Sequence, residues 1–166
     1  MPAFVINLLS LFVFRPLLTD LARDWEGENI KEFTDIVKKM MILIGALTIA
    51  ACVGAYLLGI PILSLVYGVD LRAYRMELVI IMICGGLNAY VYCLYYVVTV
   101  TGKQIFLLLG YGAGLIFAVF LGSGFVKSLG MLGAALSCTL SFGVVFIVFL
   151  IITSCVVKDR KKKTEV

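Results

Sequence analysis

Residues 78–102 read LVIIMICGGLNAYVYCLYYVVTVTG. The stretch contains no Asp, Glu, Lys, Arg or His. A helix of about 20 apolar residues crosses the roughly 30 Å hydrocarbon core of a bilayer. Residues 78–102 are therefore enough to cross once and too few to cross twice. Three further charge-free intervals occur at 40–69, 104–126 and 128–157, and the same arithmetic applies to each. The expected fold is an all-α membrane protein. Its four full transmembrane helices fall at about 40–67, 78–100, 104–126 and 131–157. A barrel would need strict apolar/polar alternation, and Val79-Ile80-Ile81-Met82-Ile83 does not alternate.

Composition agrees. The 166 residues are 63% hydrophobic and 14% charged, against roughly 45–50% and about 25% in soluble domains. The mean hydropathy is +1.12. A water-soluble domain of this make-up would expose large apolar patches, so a soluble globular domain is excluded. A disordered chain and a disulfide-built secreted scaffold are excluded by the same balance. The five cysteines (Cys52, Cys84, Cys93, Cys138 and Cys155) lie in the spans without C-x-x-C spacing. They read as small hydrophobes.

The segments outside the spans fill in the domain plan. Residues 1–18 read as a partial membrane helix: 3–14 are apolar apart from Asn7 and Ser10, and Arg15-Pro16 follows. No basic n-region or small-x-small cleavage site marks this run as a signal peptide. Residues 19–39 mix acids and bases around two apolar stripes at helical spacing. Leu18, Leu21 and Trp25 form one; Ile30, Phe33, Ile36, Val37 and Met40 form the other, with Gly27 between them. The expectation is an amphipathic interfacial segment, helix–turn–helix, with Trp25 at headgroup depth and its second helix running into the first span. Residues 158–166 form a basic tail.

Four crossings place 15–39, 101–104 and the tail on one face, with 11 basic residues. The other face holds Arg72, Arg75 and Lys127. The positive-inside rule assigns the basic face to the cytoplasm of a cell (plasma) membrane. Lys158, Arg160, Lys161, Lys162 and Lys163 then act as topology anchors beside anionic headgroups, not as a nucleic-acid site.

Two patterns within the spans carry function. Gly110, Gly114, Ala118 and Gly122 recur every fourth residue, a small-residue stripe that lets helices approach closely. The string GYGAG at 110–114 lacks the strand and glycine spacing of a nucleotide loop. On the 78–100 span, Asn88, Tyr92, Tyr95 and Thr99 fall at i, i+4, i+7 and i+11 and share a face. An amide at mid-membrane is costly without a partner. This face is therefore the candidate wall of a cavity for a polar, sugar-like substrate; its alternative is hydrogen bonding between helices. The chain has no His and no Walker-type loop, and no nucleophile–base pair is visible. No enzymatic activity, metal or cofactor is expected.

The order of features resembles the C-terminal part of polysaccharide flippases of the multidrug/oligosaccharidyl-lipid/polysaccharide exporter superfamily. The matching pieces are FRPLLTDLARDWEGENIKEF, PILSLVYG, the turn TGKQ, GMLGAALS entering the last span, and the basic tail. Such proteins are two facing six-helix bundles of 12 or 14 spans around a central cavity. They move undecaprenyl-diphosphate-linked glycans between leaflets by alternating access. The resemblance implies that this chain supplies the last four to five helices of such a transporter. Its partners would be the bilayer, a lipid-linked glycan and the missing helices or another subunit. A half-bundle cannot enclose that substrate, so a fragment, an assembly partner or a remnant is expected. The alternatives are a non-transporting structural or accessory membrane subunit and a multidrug extruder half. The second is disfavoured by the lack of an intramembrane carboxylate.

Overall fold

The structure, a computed structural model, describes residues 19–27, 29–68 and 75–164. The 1–18 segment expected as a partial helix lies outside them. Every described element is helical, and no strand occurs among the described residues. Helix α1 spans 19–26, α2 Ile30–Gly54, α3 Ile60–Tyr67, α4 Arg75–Val100 and α5 Ile105–Thr164. A π-helical turn, Ala55–Gly59, joins α2 to α3. Pro61 follows it, and a proline offers no N–H to the preceding turn; a widened π turn is one way a helix absorbs that gap. Gly68 closes α3 in the left-handed conformation, φ 66°, which costs a glycine nothing.

Three helices are long and apolar enough to cross a membrane: Ile30–Gly59, Met76–Val100 and Ile105–Lys161. The last has 57 residues, about 85 Å if straight at 1.5 Å per residue, far more than any bilayer. It is not straight. Gly130 has φ 58° and ψ −127°, and there the helix reverses. A Cβ on Gly114 would strike Val145, one on Gly110 would strike Phe149, and one on Gly122 would lie 3.1 Å from Ser137 Oγ. Partner numbers fall on one limb as they rise on the other, so the limbs 105–129 and 131–164 are antiparallel.

The same reading orders the bundle. Gly45 faces Tyr90, Thr48 faces Gly86 and Gly59 faces Leu78, so α2 and α4 are antiparallel. Cys84 lies 3.5 Å from Cys138, Sγ to Sγ, and the Tyr90 and Phe146 rings are 5.3 Å apart. These numbers rise together, so α4 runs parallel to the second limb of α5. The start of α2, the 101–104 turn and the end of α5 therefore share one end of the bundle. Gly68 and Gly130 lie at the other.

Three apolar clusters hold the helices. Met40, Ile44, Met82, Ala89 and Cys93 join α2 to α4. Val91, Leu94, Leu107, Val145 and Phe149 join α4 to both limbs of α5. Leu21, Trp25, Phe33, Val97 and Val156 close the basic end. Between membrane helices such contact works through van der Waals packing, because lipid tails are as apolar as leucine. The outside is apolar as well: Leu65, Phe120 and Leu108 are 86%, 77% and 73% exposed. Several hydroxyls bond to their own helix, Thr48 to Ile44 O and Thr139 to Ala135 O at 2.8 Å each, which satisfies polar groups where water is excluded.

The turn at Gly27 and the run of α2 from Ile30 follow the helix–turn–helix reading. Trp25 is 9% exposed, with its ring centroid 5.0 Å from that of Phe33. Leu21 and Trp25 of the first apolar stripe pack with Val97 and Val156. Glu77 is 9% exposed in the first turn of α4, where helix N-terminal N–H groups favour a carboxylate.

Candidate functional site

Asn88, Tyr92, Tyr95 and Thr99 project from α4 in different settings. Thr99 Oγ1 donates to Tyr95 O at 2.8 Å, so its hydroxyl is spent on its own helix. Tyr95 is half-buried against the Val91–Leu94–Phe149 cluster, edge-on to Tyr96 with ring centroids 5.5 Å apart. Tyr92 is 44% exposed. Asn88 is half-buried, and its amide has no hydrogen-bond partner among the described residues.

One residue joins them from another helix. Tyr111, on the first limb of α5, contacts Phe149, a member of the cluster that Tyr95 also packs against. Its ring stands edge-on to Phe149 at 5.3 Å and 84°. Phe149 is fully buried and fixes that orientation. Tyr111 was legible only as part of the glycine-rich string 110–114. Its place beside the Phe149 cluster follows from the α4–α5 packing, which no spacing rule encodes. Asn88, Tyr92 and Tyr95 on α4 and Tyr111 on α5 are the polar groups this region offers. Phenol hydroxyls donate and accept, an amide does both, and aromatic faces stack on apolar ring surfaces. Such groups pair in general with hydroxyl-bearing ligands. The set holds no acid–base pair, and no group of His, Cys, Asp and Glu among the described residues could hold a metal.

The small-residue stripe sits elsewhere. Gly110 and Gly114 receive Phe149 and Val145 from the second limb. Further along, Ala118 and Gly122 line an apolar groove of about 800 Å³ between the limbs, facing Ala134 and Ser137. Of the basic tail, Arg160 is drawn inward. Its guanidinium lies 4.5 Å from the Trp25 ring centre and donates to Trp25 O at 3.1 Å. Lys158 and Lys161 are exposed and border a cleft of about 1290 Å³ between α2, α4 and the second limb of α5. The side chains of Lys162 and Lys163 lie outside the described residues. No protein-family model, no curated protein and no solved structure matches this chain.

Proposed function

We propose that this chain is part of a membrane transporter that moves lipid-linked oligosaccharide or polysaccharide units by alternating access. In this reading α2–α3, α4 and the two limbs of α5 make four crossings of the cytoplasmic membrane, with the basic end inside. The observation that carries it is the set Asn88, Tyr92 and Tyr95 along α4 with Tyr111 on the neighbouring limb of α5, of which Tyr92 and Tyr111 are exposed. Exposed polar groups within a span are costly against lipid tails. They are stable beside a wet cavity or a facing bundle. A glycan passing such a cavity would meet hydroxyl donors and aromatic surfaces. The ordered motifs that resemble the polysaccharide flippases support the same assignment.

The test uses proteoliposomes holding the chain, alone and, where an adjoining reading frame encodes further spans, joined to that product. A fluorescent polyprenyl-diphosphate disaccharide is the probe, and an impermeant quencher reports the leaflet. The joined protein is expected to flip the probe. Tyr92→Phe with Tyr111→Phe removes two ligand hydrogen bonds worth about 1–3 kcal/mol together, so flipping slows by about 5- to 160-fold. Unchanged rates in that variant would count against the role of these tyrosines. No flipping by any joined form would favour the accessory-subunit reading. One contact favours that second reading: the second limb of α5 already fills Gly110 and Gly114, so much of the small-residue stripe acts within the chain.

A further inference from the structure

The cleft between α2 and the second limb of α5 has a direction. On α2, Lys31, Thr34 and Lys38 give way to Met41 and Ile42. On the antiparallel limb of α5, Lys161, Lys158 and Ser154 give way to Leu150. Both walls therefore change from charged to apolar toward the middle of the bundle. The floor is Leu94, 1% exposed. Along the mouth, four lysines meet two carboxylates, Glu32 and Asp35. Asp35 is taken by Lys38 at 3.8 Å. The charge left over is positive, and Lys158 and Lys161 supply it from the α5 side.

Thr153 adds a separate observation. It is 8% exposed, it borders the cleft, and its buried Oγ1 has no hydrogen-bond partner. Thr34, Thr48, Thr99 and Thr139 each return their hydroxyl to the carbonyl four residues back. Thr153 does not. A buried hydroxyl without a partner costs free energy that a bound acceptor would recover.

We propose that this cleft binds one anionic phospholipid, its phosphate held among Lys158, Lys161 and Lys31 and an ester oxygen within reach of Thr153. An acyl chain lies along Leu94, Leu150 and Met41. The charge surplus matches an anionic headgroup, and the polar-to-apolar gradient matches a lipid's own. A soluble phosphate would satisfy the lysines and leave the apolar half of the cleft empty. The site needs only a chain in a membrane and does not depend on glycan transport.

The experiment is lipid binding to the purified full chain in mild detergent, read by native mass spectrometry. Phosphatidylglycerol is expected to bind about 10- to 30-fold more tightly than phosphatidylcholine, in line with the attraction of two or so basic residues to anionic lipid. Lys158→Gln with Lys161→Gln should erase that preference. Lys39→Gln with Lys103→Gln removes the same charge from the same end, outside the cleft, and should preserve it. Thr153→Val should weaken binding several-fold, and Thr153→Ser should restore it. Equal loss in both lysine pairs would reduce the effect to general surface charge and overturn the proposal. Glycerol phosphate that binds as tightly as the whole lipid would overturn it too, by assigning the cleft to free phosphate. Because flipping is not measured, either result is independent of the transport reading.

Discussion

Gly114 occupies a place where any side chain would meet Val145. Two residues earlier, Gly112 has no heavy atom within 4 Å of where a Cβ would stand. The pair separates packing from helix propensity. Gly114→Val should lower stability by about 1–3 kcal/mol through overpacking, while Gly112→Ala should stay within about 0.5 kcal/mol. Thermal unfolding in detergent, followed by circular dichroism, reads both. An equally harmless Gly114→Val would mean that the limbs do not approach as described. Gly130 is a different case. Its φ of 58° with ψ −127° is a region that side chains avoid, so Gly130→Ala should cost about 1–3 kcal/mol by strain alone. Asn88 and Tyr111 matter at this scale for their polar atoms and not for volume.

Among the elements, the parallel run of α4 beside the second limb of α5 brings Cys84 and Cys138 to 3.5 Å. Disulfide sulfurs stand about 2.05 Å apart, so a small side-chain rotation closes the distance. Treatment with copper–phenanthroline should therefore link these two thiols within one chain. Each thiol gives up one electron and one proton to the oxidant. Peptide mapping should find the 84–138 link, with Cys93 still free in its buried site. A link that forms only between chains, or none at all, would contradict the α4–α5 register. The same register sets Tyr90 on Phe146, with ring centroids 5.3 Å apart.

On the scale of the whole molecule, the reversal at Gly130 determines which ends meet. It sets Lys103 and the basic tail at one end and Lys127 at the other. In a cysteine-free background, Lys103→Cys and Lys127→Cys should react with an impermeant maleimide from opposite sides of sealed vesicles. Labelling of both from one side would sink the four-crossing proposal. Large exposed apolar side chains such as Phe120, Leu65 and Ile42 cover the outside of the bundle, which suits a lipid annulus or a facing set of helices.

The charge-free intervals determined by themselves that this chain is helical and long enough, several times over, to cross a membrane. Spacing alone also identified the α4 face that carries Asn88, Tyr92 and Tyr95, because a helix of 3.6 residues per turn brings i, i+4 and i+7 together. What spacing cannot express is which helix a face meets. Trp25 reads as an interfacial aromatic, and the tertiary structure adds Phe33 and Arg160 as its neighbours. Arg160 reads as a tail charge and becomes a contact that ties the last turns to α1. Tyr111 reads as one letter in a glycine string and becomes a member of the candidate site. Thr153 reads as an ordinary hydroxyl and becomes an unpartnered one beside the lysine cleft. The Arg160–Trp25 and Tyr111–Phe149 contacts cross between elements far apart in the chain. Hydrophobic pattern is local information, whereas close packing between helices depends on their pairing and register.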